Sequence, residues 1–408
     1  MDLQQGLTTL LVMTVIAAVA PFVAALFSRI HLPQVVIFIV GGVIVGPQVL
    51  GWTHPTTIVL LANVGLGLLF LLAGYELDLT LFRQHVGRRA VLAWVVTAVV
   101  AVAVTGVLSY VGFVRAFVPV AIGLTTTAFG TLLPILRDNG ILGSRFARFL
   151  LPAGAAGEFL PIIAIAIFLS SQGRFLGLIS LVVMFALAAF LAVLPKWTSL
   201  PSFVRISHEG EDATSQTTVR ITVALLVGLL VIASHFGLDV VLGAFLAGII
   251  LHRWAPGDVH SLEGKLDAIG YGFFIPVFFI SSGMGLDLRS IAQSPQRLLV
   301  FFLLLLAVRG LPSLFLYRHD LGWSERVQMV LFTATALPLL VALSQIGLST
   351  GEMLPANAAA LVGAGVLSVL VLPGVAVTLN RRSTRPVGVT SPRAEPRAEE
   401  QAPAGPPR

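Results

Sequence analysis

Apolar residues run along the chain in long blocks, and charged residues fall mostly in the short connectors between them. Blocks such as 91–110 and 175–194 are continuously apolar, where the strands of a membrane barrel would alternate, so they predict helices. Crossing the hydrocarbon layer takes about 20 apolar residues per helix. The blocks fit about thirteen such spans, at about 7–29, 34–51, 58–76, 90–111, 116–136, 146–171, 175–195, 216–236, 238–253, 267–285, 298–317, 327–346 and 357–379. The expected fold is an all-α polytopic membrane protein.

Composition agrees and narrows the chemistry. Of 408 residues, 57% are apolar and 11% charged, against about a quarter charged in water-soluble domains. Cysteine is absent, which removes disulfides, thiolate metal sites and iron–sulfur clusters. The net charge of +6 could suggest nucleic acid, but the basic residues sit in loops beside spans, so the expected surroundings are the lipid bilayer and no nucleic acid. Arg115, Arg174, Arg289 and Arg297 fall on one side of the predicted spans. Apart from Arg309, which lies within a span, all the other basic residues fall on the opposite side or in the C-terminal tail. The positive-inside rule then places the N-terminus outside and the C-terminus in the cytoplasm of a multi-pass protein of the cell membrane. The first apolar run has no basic flank and is too long for a cleaved signal, so it is expected to stay as the first helix. Lys196 to Gln216 reads as a cytoplasmic linker dividing the chain, and 381–408, rich in Pro, as a disordered cytoplasmic tail.

An internal repeat joins the two halves. At one constant offset, Phe70, Gly74, Leu77, Asp78, Leu79 and Gln84 fall on Phe279, Gly283, Leu286, Asp287, Leu288 and Gln293. The matched helices are the third and the tenth, an odd number of crossings apart, so the copies point oppositely through the bilayer. Two inverted six-helix repeats are the sequence mark of many secondary transporters, because halves related in this way can exchange inward-open and outward-open shapes.

Two ionisable residues lie near the middle of spans, Glu158 and Arg309. A charge there costs about 2.5–3.5 kcal/mol on insertion scales, so each must face protein or water. They could form a structural ion pair. Alternatively, Glu158 is the ion and proton carrier: a proton and an alkali cation cannot occupy the same carboxylate oxygens together, and that competition suffices for antiport. Small residues around Glu158 let neighbouring helices approach, and Pro161 frees the carbonyl one turn earlier as a possible cation ligand. Upstream, Thr125, Thr126 and Thr127 followed by Gly130 and Pro134 suit an unwound transmembrane segment or, equally, hydroxyls bonded back to an intact helix. Thr333, Thr335 and Pro338 interrupt the partner span in the inverted scheme. Two discontinuous helices could therefore cross beside Glu158 and present opposing partial charges. Arg309 is a fixed cation; it could balance Glu158 or sit against the negative ends of the broken helices. The eight His show no metal-ligand spacing, and Glu76, Asp78 and Asp287 at span edges read as capping or loop-pairing groups.

Four segments then carry a family resemblance: LPQVVIFIVGGVIVGPQVLGW from Leu32, GLGLLFLLAGYELDL from Gly65, VLGAFLAGI from Val241 and FFISSGMGLDL from Phe278. Together with the mid-membrane acid and base, they resemble the membrane domain of the monovalent cation:proton antiporters, second branch, which includes sodium/proton exchangers. The resemblance covers about residues 7–380. It implies a homodimer, no cofactor, a non-enzymatic exchange of Na⁺ or K⁺ for H⁺, and a role in pH homeostasis. It also implies a transmembrane domain over 1–380, with a dimerising panel (about 7–76 and 216–285), a mobile core (about 90–171 and 298–379) moving as an elevator, and a linker helix at 175–195. Glu158 takes the place of the essential carboxylate, Thr126 and Thr127 that of ligands on the unwound helix, and Arg309 that of a supporting base. Electrogenic members carry two adjacent Asp where this chain has Gly157 and Glu158, which points to electroneutral exchange. No Gly-rich nucleotide fingerprint follows the membrane part, so ligand-gated efflux is not expected. The competing readings are an organic-anion symporter on a related inverted-repeat fold and a non-transporting membrane sensor or assembly protein.

Overall fold

The computed structural model describes residues 3–26, 33–53, 58–77, 79–170, 173–197, 216–254 and 259–383. Asp78, most of the 196–216 linker and the tail beyond Ser383 lie outside the described residues. Among the described residues there is no strand, and ten helical segments are long and apolar enough to cross a membrane. The chain runs α1 (Leu3–Leu26), α2 (Gln34–Val45), α3 (Val59–Glu76), α4 (His85–Tyr110), α5 (Phe117–Gly123), α6 (Phe129–Asp138), α7 (Ala147–Phe168), α8 (Arg174–Trp197) and α9 (Thr217–His235). It continues through α10 (Val240–Trp254), α11 (Val259–Ile269), α12 (Ile275–Met284), α13 (Leu288–Gln293), α14 (Pro295–Leu304), α15 (Leu311–Leu316), α16 (Trp323–Thr333), α17 (Pro338–Ser349) and α18 (Pro355–Ser383). Short π-helical turns, Gly270–Phe274 and Leu305–Gly310, join α11 to α12 and α14 to α15.

Glycines set how closely α2, α3, α10 and α12 pack. A Cβ at Gly74 would fall 2.1 Å from the Phe245 carbonyl oxygen, and one at Gly248 2.0 Å from that of Leu71, so α3 and α10 touch backbone to backbone. The same contact recurs between α12 and α2, where Gly283 lies against the Ile39 carbonyl and Gly42 against that of Ile280. Gly74 and Gly283 are the positions matched in the internal repeat. Without hydrophobic driving force inside lipid, close van der Waals approach of this kind holds helices together.

The second group packs α4 on α7, and α18 on α14, α16 and α17. It holds two separate apolar clusters. One contains Leu132, Leu150, Tyr317, Met329 and Phe332, and the other Val120, Leu124, Phe301, Leu340 and Leu361. Between them lie the buried polar residues Thr125, Thr126, Thr127, Arg309, Thr333 and Thr335. Spans at 116–136 and 327–346 are each broken here, at 124–128 and 334–337, and the polar layer marks the breaks.

Candidate functional site

The two breaks meet and satisfy each other's backbone. Ala128 N–H donates to the Thr335 carbonyl at 2.7 Å, and Thr127 N–H donates to the Gly157 carbonyl of α7 at 2.8 Å. The latter is the carbonyl that Pro161 frees. The sequence offered it as a cation ligand, but here it anchors the first break to α7, because an unpaired N–H at this depth would cost several kcal/mol. At the second break, Ser368 of α18 serves both sides: its hydroxyl lies 3.0 Å from the Ala336 N–H, which donates to it, and it bonds the Gly365 carbonyl at 2.7 Å. The one Ser in the otherwise apolar stretch 358–377 is the only sequence signal for this clamp.

The threonines divide into two kinds. Thr125 and Thr126 donate to the carbonyls of Ile122 and Gly123, at 2.7 and 2.8 Å, and Thr333 and Thr335 donate to Met329 and Leu331, at 2.7 and 3.0 Å. These hydroxyls close the last carbonyls of their own half-helices, so back-bonding and unwinding occur together. Thr127 instead reaches across. Its hydroxyl donates to the Thr333 carbonyl at 2.7 Å and accepts from Arg309 Nε at 3.0 Å, which leaves it one acceptor lone pair. Pro338 opens α17 at its first turn, where its missing N–H is harmless. Pro134 lies within α6, and its side chain is outside the described residues.

Arg309 rises from the π-helical turn into this layer and is fully buried. Besides Thr127 it donates from Nη2 to the Ala153 carbonyl at 2.9 Å. Among the described residues no carboxylate comes within 4 Å of it, so it is not bound in an ion pair with Glu158; it ties α7 to the first break. Gly157 makes the room. A Cβ there would lie 2.5 Å from Arg309 Nη2 and 2.4 Å from Thr127 Oγ1. A side chain in the place of the first Asp of a pair would therefore displace the guanidinium.

Glu158 is buried, and its Oε2 accepts the Gly130 N–H at 3.3 Å. The carboxylate is thus seated at the N-terminal end of α6, where the unsatisfied N–H groups and the helix dipole favour an anion. The space beside Gly130 is open, since a Cβ there would meet nothing within 4 Å, so it is the backbone N–H at this position and not the missing side chain that serves Glu158. Next to Glu158, Phe159 stacks on Phe245 of α10 with centroids 5.4 Å apart, so the carboxylate lies by the junction of the two helix groups.

Sequence reasoning missed the titratable groups that share an electrostatic environment with Glu158 at this junction. Glu76, at the end of α3, lies within electrostatic range of it, and so does Tyr271. Asp267 and Glu263 of α11 and Arg137 of α6 interact in turn with Glu76. Glu76 reads as a span-edge residue because nothing local tells that α3 ends beside α7. On another part of the junction, a cavity of about 290 Å³ is lined by Asn63, Ser281, Asp287, Ser344 and Gln345 among others. Glu158 and the crossing do not line it.

The chain is 26% identical over 401 residues to a putative Na⁺/H⁺ antiporter, YjbQ of Bacillus subtilis, covering 93% of this chain and 64% of that protein. It is 27% identical over 287 residues to the Na⁺/H⁺-K⁺ antiporter GerN of Bacillus cereus, covering 69% of this chain and 71% of that one. The fold matches the sodium proton antiporter MjNhaP1 of Methanocaldococcus jannaschii with a TM-score of 0.61 at 15% identity, over 94% of this chain and 97% of that chain. The family model described as sodium/hydrogen exchanger, transmembrane, matches residues 14–380, and the chain belongs to that family.

Proposed function

We propose that this protein exchanges a monovalent cation, Na⁺ or K⁺, for H⁺ across the cytoplasmic membrane, with Glu158 carrying either ion in turn. The observation that carries this reading is the unpaired state of the Glu158 carboxylate. It is buried, is bonded to the Gly130 N–H, and has no basic side chain within 4 Å among the described residues. A buried acid without a fixed counterion is stable when it holds a proton or when a cation neutralises it. Family membership and the named antiporter relatives support the same activity.

In this reading the protonated acid releases H⁺ to one aqueous side, and the ionised oxygens then take the cation. The Thr127 hydroxyl supplies its remaining lone pair, and the first break at Thr126 supplies further oxygen. One carboxylate exchanges one charge for one charge, so transport is electroneutral. Arg309 stays charged throughout and holds Thr127 and α7 in register. Alternating access is an elevator movement of α4–α7 with α14–α18 against α1–α3 with α9–α12. Across that boundary, contacts such as Phe159 on Phe245 are apolar and free to slide. A homodimer forms with its N-termini outside and C-termini cytoplasmic. The exposed stripe Leu11, Val15, Val19, Phe22 and Leu26 of α1 supplies its surface. An organic anion is disfavoured by the junction cavity, where Asp287 is charged and the lining has no basic residue.

The test is cation-driven H⁺ movement in proteoliposomes, with Na⁺, K⁺ and Li⁺ added in turn. Glu158→Gln, a near-isosteric change, should abolish exchange while leaving the protein folded. Full flux in that variant would remove Glu158 as the carrier.

A further inference from the structure

One end of the α4–α15 face carries basic residues that the transport reading does not use. On α4, Arg88, Leu92, Val95 and Val99 recur at helical spacing and are all exposed, forming one stripe. On α15 and the turn after it, Leu311, Phe315 and Arg318 form a second exposed stripe. The two helices pack together, and each stripe is apolar along the span and ends in an exposed Arg. The ends are joined: Arg89 forms an ion pair with Asp320, and Arg145 Nη2 donates to the Asp320 carbonyl at 2.7 Å. Asp320 is therefore already satisfied. Arg88, Arg148 and Arg318 have no carboxylate within 4 Å among the described residues. Trp323, 65% exposed, stands beside this cluster with the Arg326 guanidinium 5.1 Å from its ring centroid, the type of amphipathic aromatic enriched at membrane interfaces.

We propose that this end of the α4–α15 face is a binding site for an anionic phospholipid. The phosphate lies between Arg88 and Arg318, and the acyl chains lie along Leu92, Val95 and Val99 on one side and Leu311 and Phe315 on the other. Guanidinium groups match phosphate oxygens in fork geometry, and the two apolar stripes supply the chain contacts that a soluble anion would not use. A zwitterionic lipid has the same chains, but its ammonium group would be repelled by the three guanidinium groups, none of which has a carboxylate partner among the described residues, although Arg318 Nε donates to His319 Nε2 at 3.0 Å. The site lies apart from Glu158 and stands whether or not that residue carries the transported ion.

The experiment is native mass spectrometry of the purified full-length chain titrated with phosphatidylglycerol or phosphatidylcholine of identical acyl chains. Phosphatidylglycerol should bind preferentially, and Arg88→Gln with Arg318→Gln should weaken it about thirtyfold, from about one contact's worth of surface attraction per Arg. Arg115→Gln with Arg289→Gln, changed elsewhere, should leave binding intact. Equal retention of the two lipids by the wild-type chain, or unchanged phosphatidylglycerol binding in the Arg88/Arg318 variant, would overturn the site. Binding of inorganic phosphate in place of the lipid would overturn it as well. A second readout needs no charge variant: phosphatidylglycerol spin-labelled near its glycerol should quench the emission component that Trp323→Phe removes, and labelled phosphatidylcholine should not. Equal quenching by both lipids would contradict the proposal.

Discussion

Replacing Gly157 with Ala adds one methyl group where the fold has no space for it. The new Cβ would lie 2.4 Å from Thr127 Oγ1, 2.8 Å from Thr127 Cβ and 2.5 Å from Arg309 Nη2, whereas ordinary contact begins at 3.4 Å. Neither neighbour can retreat freely. Thr127 is held by its N–H to the Gly157 carbonyl and by its hydroxyl to the Thr333 carbonyl, and Arg309 is held by Thr127 and the Ala153 carbonyl. Overpacking a tight interior costs about 1–3 kcal/mol, and losing one hydrogen bond to a charged group costs about 1.5–3 kcal/mol more. A loss of about 2.5–6 kcal/mol is therefore expected, read as a lowered unfolding midpoint in detergent together with loss of exchange in proteoliposomes. Gly130→Ala is the internal control at the same break, since its Cβ meets nothing within 4 Å and its N–H to Glu158 is kept. A Gly157→Ala protein as stable and active as the wild type, or a Gly130→Ala protein equally damaged, would refute the packing argument.

Other consequences are as specific. Thr127→Val removes the hydroxyl that links Arg309 to the Thr333 carbonyl and leaves both buried groups short of a partner. It should lower stability by about 1–3 kcal/mol and slow exchange, whereas Thr127→Ser should retain most of both; equal behaviour of the two variants would contradict the role of the hydroxyl. Gly74→Ala drives a Cβ to 2.1 Å from the Phe245 carbonyl, and backbone cannot yield as a side-chain tip can. A drop in unfolding midpoint at least as large as that of Gly67→Ala, whose nearest neighbour is a Leu230 methyl at 3.3 Å, is expected. At the N-terminus of α13, Asp287 accepts from the Ser290 N–H and hydroxyl, which hold its carboxyl below the ordinary 3.8. Because the folded value is the lower one, this cap is fully present above about pH 4 and is lost as the pH falls through the folded value. Protection factors of the α13 amides, which are exchange rates corrected for the intrinsic pH dependence, should fall on acidification in the wild type, and Asp287→Asn should flatten that dependence.

The interruptions of the two spans were legible because Thr, Gly and Pro clusters are out of place in lipid, and Glu158 because a mid-span carboxylate demands a reason. What the threonines do was not legible. Four of them close carbonyls on their own helices, and Thr127 alone crosses, a difference set by the angle at which the breaks meet and not by residue type. The Gly157 carbonyl was correctly expected to be free of its own helix, but the Thr127 N–H, itself released by the first break, is a nearer partner than any ion. Arg309 had two plausible partners in sequence; the π-helical turn, which has no clear sequence signature, aims it at Thr127 and Ala153. Gly74 and Gly283 were matched as a repeat, and the structure gives both the same job, pressed against a neighbouring carbonyl. The position of Glu76 within electrostatic range of Glu158 depends on how the two helix groups dock, which no local pattern encodes.

The central claim is that H⁺ and the transported cation compete for the Glu158 oxygens. Its most direct test is the apparent KM for Na⁺ or K⁺ in proteoliposomes, measured over a series of pH values equal on both sides. Competition at one carboxylate predicts that, once the acid is mostly protonated, KM rises about tenfold for each unit the pH falls while the maximal rate at saturating cation is retained. A KM independent of pH, with acidification lowering only the maximal rate, would contradict it.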